Sequence, residues 1–209
     1  MLNLDLFRAQ PLVTEPFKYV VVRNFLSSFD AACVREDFPV TAGRGLFPLS
    51  ETTYGPRFAA LIEEMNSPEF ESAVSEKFGL ALSGRPLMIT VRGRCNAEDG
   101  RIHTDSRTKV VSGLLYFNGR WFSPGGRLRM LTGPDDIEAY CAEVAPHDGT
   151  LVAFVRSENS FHGHLPYEGV RRCLQFNWMR DAGVMNHELR RHRWSARMKR
   201  MTSNLLNVV

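Results

Sequence analysis

His103-Thr104-Asp105 places an imidazole and a carboxylate two residues apart, and a second imidazole follows Asp105 after 57 residues, in Ser160-Phe161-His162-Gly163. In an extended segment residues i and i+2 point the same way, so His103 and Asp105 can reach one metal ion together. Two histidines and one carboxylate on one face of a metal, with the other positions open, are the donor set of non-heme Fe(II) centres. Arg171 lies nine residues past His162. Its planar guanidinium could clamp a carboxylate through two parallel hydrogen bonds. His-x-Asp alone is a common chance pattern, so its weight comes from the elements around it.

Those elements read as strands. Residues 86–91, Pro-Leu-Met-Ile-Thr-Val, are rich in β-branched and apolar side chains. A polar stretch from Arg92 to Ile102 then delivers His103. Further strands are expected over Lys109–Asn118, Leu151–Val155 and Arg172–Trp178, which puts the candidate ligands at strand ends and in the turns between strands. Upstream the pattern is helical. Ser67-Pro68 supplies a capping serine and a proline at the first helical position, Phe70, Ala73, Val74 and Phe78 form one apolar face, and Gly79 closes the helix. Ser27 or Ser28 starts a shorter helix near 31–36, and Asp135-Asp136 is read as the start of another, with Ile137, Tyr140 and Cys141 inward. Thr41–Arg57 and Asn118–Gly126 read as loops, either of which could form a lid or a substrate rim.

From about residue 85 to 180 the chain resembles the Fe(II)- and 2-oxoglutarate-dependent oxygenases, closest to the prolyl-hydroxylase-like group. The matching segments are His103-Thr104-Asp105, Leu114-Leu115-Tyr116-Phe117-Asn118, Gly125-Gly126-Arg127-Leu128, Pro146 with Gly149–Phe154, and Phe161-His162-Gly163 through Pro166 to Gly169-Val170-Arg171. They come in the family's order, and the combination is far more specific than any one motif. The first 80 residues match only loosely, through Pro16–Val22.

The resemblance implies a mainly β fold with flanking helices around a double-stranded β-helix, the jelly-roll or cupin-like core. It places the barrel at about 85–180; length and composition suit one domain over 1–209, and charge with apolar spacing makes 186–209 a basic C-terminal helix. The resemblance makes His103, Asp105 and His162 the iron ligands. Arg171 would pair with the distal carboxylate of 2-oxoglutarate, and Tyr116 stands where related enzymes place a second hydroxyl for that carboxylate. Tyr116 could equally be an ordinary core aromatic. Arg172 is the rival of Arg171, but adjacent strand residues face opposite sides and the Gly-x-Arg pattern favours Arg171. His164 could share the direction of His162, although the pattern around Phe161-His162-Gly163 assigns the ligand to His162. The implied cofactors are Fe(II), 2-oxoglutarate and O2, and the implied reaction is hydroxylation of an unactivated C–H bond, with succinate and CO2 as co-products. Asp105 argues against halogenation, because halogenating relatives leave that carboxylate position empty.

The substrate is not legible: an amino acid, a peptidyl side chain or a small metabolite would all suit. Gln175 and Asn177 on the last strand either line the pocket or complete ordinary strand alternation. Relatives that repair alkylated nucleic acids carry a second arginine six residues after the first, and Asn177 holds that position here. The other open class is a cupin-like metalloprotein that does not use 2-oxoglutarate, whether an isomerase, another dioxygenase or a metal-dependent binding module. Fold alone cannot separate the two classes; a carboxylate clamp can.

Composition sets the outer limits. A chain of 209 residues with 44% hydrophobic and 11% aromatic residues can bury one sizeable core. No apolar run approaches the about 20 residues of a membrane span. The start, Met-Leu-Asn-Leu-Asp-Leu-Phe-Arg, lacks a basic signal-peptide region, and cysteines at 33, 95, 141 and 173 have no short spacing. Both features lead to an expectation of a cytoplasmic protein with reduced thiols. The net charge of +3 is local: residues 186–209 hold six basic residues against Glu188, a net of +5, which leaves −2 for the rest. Trp194, Met198, Met201 and Leu205 recur at helical spacing there, so the tail is expected to dock through that stripe with its basic face solvated. An acidic partner for that face is the alternative; the sequence does not point to nucleic acid and leaves the oligomeric state open.

Overall fold

The computed structural model describes residues 1–41, 43–191, 193 and 194. The chain runs α1 (Leu4–Ala9), β1 (Tyr19–Val22), α2 (Ser28–Glu36), β2 (Phe47–Pro48), α3 (Pro56–Met65) and α4 (Pro68–Phe78). It continues with β3 (Leu87–Cys95), β4 (Lys109–Tyr116), β5 (Leu128–Leu131), β6 (Tyr140–Val144), β7 (Leu151–Val155), β8 (His162–Gly163) and β9 (Gly169–Met179). A further helix starts at 182. The strands form a six-stranded sheet in the order β1-β7-β4-β9-β3-β2 and a three-stranded sheet in the order β6-β5-β8. All pairings within both sheets are antiparallel, and together the two sheets make the jelly-roll core.

Side chains alternate across each strand of the large sheet, so its two faces do different work. Val91, Leu115, Ala153, Phe176 and Trp178 point to the outer face and pack against the apolar sides of the four helices, through Phe7, Val34, Phe58 and Phe70 among others. Tyr116, Val152, Phe154 and Cys173 point inward and meet Leu128, Met130 and Val144 of the small sheet. Gly113 on β4 is required by this packing, because a Cβ there would run into the Phe176 ring of β9. The inner face is therefore a walled interior with one polar region, and that region holds the candidate ligands.

The helix from Ser67 follows its expected design: Ser67 Oγ accepts from the Phe70 amide, Pro68 opens α4, and Gly79 ends it at φ 66°. Ser27 caps α2 in the same way. Three expectations are corrected. Residues 140–144 form strand β6, not a helix: Tyr140 and Cys141 are exposed, and the segment pairs with β5 while the Arg129 guanidinium lies 4.4 Å from the centre of the Tyr140 ring. The stretch 41–57 is not all loop, since it contains β2 and the first turn of α3. Trp194 does not dock: it is 70% exposed, on a helix that begins at 182, ahead of the expected start at 186. Met198, Met201 and Leu205, with the rest of the expected stripe, lie outside the described residues.

Candidate metal centre

The loop after β3 and the start of β8 are tied together at the two histidines. The His103 amide donates to the His162 carbonyl at 3.1 Å and the His162 amide donates back at 3.0 Å. Their rings stand 4.4 Å apart, and Phe154 of β7 backs His162 at 4.7 Å. Asp105 lies two residues on, its backbone oxygen held by Arg156 at 3.0 Å. One ligand atom from each of His103, Asp105 and His162 lies within 4.8 Å of the others. Of the three, His103 is exposed and the other two are buried, so the group opens toward solvent on one side.

The donor chemistry fits a divalent cation. His103 Nδ1 sits 2.8 Å from the Arg101 carbonyl and His162 Nδ1 3.0 Å from the Ser160 carbonyl. A carbonyl only accepts, so each Nδ1 carries the proton and each Nε2 keeps its lone pair for a ligand bond. Asp105 receives Lys109 Nζ on one oxygen at 2.8 Å and the Ser112 hydroxyl on the other. Burial would raise its pKa, but Lys109, His162 and the two hydrogen bonds outweigh that and hold it down at about 2. The carboxylate stays anionic and keeps lone pairs for a metal. Burial, with the nearby His103, holds His162 down to about 4, against the pull of Asp105. It is therefore neutral and ready to ligate near neutral pH.

Arg171 sits on the same cavity wall as the three ligands. It is only 3% exposed. Its Nε donates to the Gly126 carbonyl at 2.7 Å and its Nη2 reaches the Tyr116 hydroxyl at 3.4 Å. Burial raises the Tyr116 phenol to about 12, so it remains protonated, with a hydrogen to give. No carboxylate among the described residues pairs with Arg171. Gly126 is fixed by this arrangement: its φ is 75° and a Cβ would lie 2.9 Å from Trp121. Arg172 alternates to the other side of β9, where it borders a groove with Trp121 and Tyr167. His164 lines the cavity as well but is not one of the three; its Nδ1 meets the Leu165 carbonyl at 2.8 Å, and burial, followed by Arg171, lowers its pKa to about 4.

Of the residues singled out from the sequence, His103, Asp105, His162, His164, Arg171 and Gln175 line one cavity, Tyr116 meets Arg171 behind its wall, Asn177 is not among the lining residues, and Arg172 faces away. Residues not foreseen are Lys109 and Ser112, which hold Asp105, and the Arg92–Asp99 ion pair at 2.7 Å in the cavity wall. Period-two alternation from Ser112 to Tyr116 was the available signal for Ser112. Lys109 depends on the chain reversing between 105 and 109, which no local pattern announces.

Residues 94–180 match the family model of the 2OG-Fe(II) oxygenase superfamily. No curated protein matches the chain. Among solved structures, a prolyl-4-hydroxylase from Pseudomonas putida is similar at 19% identity and a TM-score of 0.56, covering 86% of this chain and 97% of that one. A prolyl 4-hydroxylase from Phytophthora capsici matches at 22% identity and 0.55, covering 80% of this chain and 60% of that one. A viral collagen prolyl hydroxylase from Paramecium Bursaria Chlorella virus-1 matches at 13% and 0.51, covering 78% and 90%. At these identities the structures speak for the fold, and the family match falls on the segment that carries all three ligands, Tyr116 and Arg171. With its jelly-roll core and its His-Asp-His cluster, the chain is similar over residues 94–180 to the 2OG-Fe(II) oxygenase superfamily, a family that uses Fe(II), 2-oxoglutarate and O2.

Proposed function

We propose that His103, Asp105 and His162 hold Fe(II), that Arg171 and Tyr116 bind the distal carboxylate of 2-oxoglutarate, and that the protein hydroxylates an unactivated C–H bond of a small-molecule or peptide substrate. The substrate class at this level is an amino acid, a peptidyl side chain or a small metabolite. The observation that carries the reading is Arg171: a guanidinium buried beside the His-Asp-His group with, among the described residues, only a phenol and a carbonyl for hydrogen-bond partners. A buried charge without a counter-ion is costly, and a dicarboxylate co-substrate would supply one. A cupin-like protein that does not use 2-oxoglutarate has no need of that clamp.

When bound, Fe(II) with 2-oxoglutarate and O2 supplies the oxidising power, and the co-substrate leaves as succinate and CO2. The chain's own residues orient and shield. Arg101 and Ser160 carbonyls fix the two imidazole tautomers, and Lys109 with Ser112 fixes the Asp105 carboxylate. Leu114, Leu128 and Phe154 wall the cavity with apolar surface. We read the whole of 1–209 as one domain with the barrel at about 85–180. We place the protein in a reducing cytoplasm because all four cysteines are free thiols. No helix among the described residues is long and apolar enough to cross a membrane.

The test is anaerobic calorimetry with Mn(II) in place of iron. Mn(II) should bind, and 2-oxoglutarate should bind only after it. His103→Ala, Asp105→Ala and His162→Ala should each lose Mn(II) binding, because a three-ligand site has no spare partner, whereas His164→Ala should keep most of it. A wild type that binds the metal but not 2-oxoglutarate would overturn the reading in favour of the cupin-like class.

A further inference from the structure

The inner face of the large sheet carries two polar side chains that the machinery above does not use. Thr90 on β3 is 0% exposed and Asn177 on β9 is 1% exposed. Thr90 Oγ1 and Asn177 Oδ1 have no hydrogen-bond partner among the described residues. Buried polar atoms are nearly always paired, so two orphans on one wall call for an explanation. The sheet register places them. Thr90 stands opposite Gln175, and Asn177 stands opposite Ser112, whose hydroxyl holds Asp105. Along β9 the inward positions run Arg171, Cys173, Gln175, Asn177. The orphans thus lie at the metal end of the face, away from the Arg171 clamp. Gln175, opposite Thr90 and two residues before Asn177 on the same face, lines the cavity, whereas Thr90 and Asn177 lie behind its lining; Gln175 makes no side-chain hydrogen bond among the described residues, so its displacement would open the cavity to both.

The charges around this wall are already matched: Lys109 by Asp105 and Arg92 by Asp99, with Arg171 turned to the co-substrate. What remains is neutral and able both to give and to take hydrogen bonds. A hydroxyl and a carboxamide, which presents either end by rotating, complement a group with a donor and an acceptor side by side. We infer that Thr90 and Asn177, uncovered by Gln175, form the specificity subsite for the substrate, and that they read a neutral amide beside the C–H bond to be oxidised. This rests on the function proposed above. The amide could be a side-chain carboxamide or a peptide bond; the chemistry is shared.

Three measurements test it. The first is the calorimetry already described: a wild type without 2-oxoglutarate binding brings down the proposed function, and this inference with it. The second needs no substrate. Thr90→Val and Asn177→Leu remove the orphaned atoms at nearly constant shape, so each should raise the melting temperature of the metal-free protein, by about 2–4 °C. A lower melting temperature for Thr90→Val would make these groups fold supports and overturn the inference. Should Asn177→Leu fail to fold, the smaller Thr90→Val change still decides. The third uses L-asparagine, L-glutamine and N-acetyl-alanine methylamide as probes, with L-aspartate, L-glutamate and L-leucine as matched controls, titrated into the Mn(II)- and 2-oxoglutarate-loaded protein. At least one amide should bind about tenfold or more tighter than its controls and lose about tenfold or more in Thr90→Val. A response to asparagine or glutamine assigns the side-chain source, and a response to the methylamide assigns the peptide bond. Equal binding of the acids or leucine, no amide binding to a protein that does bind 2-oxoglutarate, or an affinity unchanged in Thr90→Val overturns the amide assignment and leaves the proposed function standing.

Discussion

Arg171 spends its hydrogen bonds on the Gly126 carbonyl and the Tyr116 hydroxyl, yet keeps part of its fork free for an anion. Arg171→Ala should therefore leave Mn(II) binding nearly intact and weaken 2-oxoglutarate by roughly 10- to 100-fold. Losing a charge-assisted pair typically costs about 1.5–3 kcal/mol, and each 1.4 kcal/mol is about tenfold; anaerobic calorimetry reads the change directly. His162 and His164 make a second prediction. Burial, the largest cause for each, holds both at about 4 in the folded chain, against a usual 6.5. The unfolded chain therefore takes up protons first as the pH falls. The stability linked to these two residues is complete above pH 6.5 and is lost as pH drops toward 4. Melting of the metal-free protein in chelator should fall across that window, and His164→Gln should flatten part of the slope; an unchanged melting temperature from pH 7 to 4.5 would contradict this. The clustering of His103, Asp105 and His162 and the burial of Arg171 beside them were legible in the sequence because each residue belongs to a short motif at a strand end. The contacts of Lys109, Ser112 and Arg92 were not, because they arise from register and chain reversal between segments rather than from a local pattern.

At the scale of elements, strong local signals predicted well. Serine caps, proline at the first helical position and a closing glycine located α4, and β-branched runs located β3, β4, β7 and β9. Ser67→Ala should cost about 1 kcal/mol, the usual loss for a capping hydroxyl, as measured by urea unfolding. Weak or mixed signals failed. Residues 135–144 open with two aspartates, which suggests a helix, but their pairing with β5 decides the outcome. α3 was missed because its first turn hides in the glycine- and proline-rich stretch before it, although Phe58, Leu61 and Met65 are all buried on one face. Gly113 shows what such patterns cannot reveal: its need for no side chain comes from Phe176 on another strand. Gly113→Ala should destabilise by about 1–3 kcal/mol, as overpacking does, visible as a lower urea midpoint.

The whole molecule sets helices against one face of the large sheet and chemistry against the other, with Trp178 locked between β9 and α4 through Phe70, their ring centres 5.5 Å apart. Trp178→Ala should cost about 3–5 kcal/mol. Trp194→Ala, at a residue 70% exposed, should stay within about 0.5 kcal/mol. Paired urea titrations of the two variants check both values, and a costly Trp194→Ala would restore the docking expected from the sequence.

The reciprocal backbone bridge between His103 and His162 also has a kinetic meaning. The bridge is made by main-chain groups alone, so no ion is needed to hold together the two segments that carry the imidazoles. Both amides should exchange with deuterium slowly for residues beside a loop, and at nearly the same rate with and without Mn(II). The loop and the short strand would then open and close as one unit, and the centre would be assembled before any metal arrives.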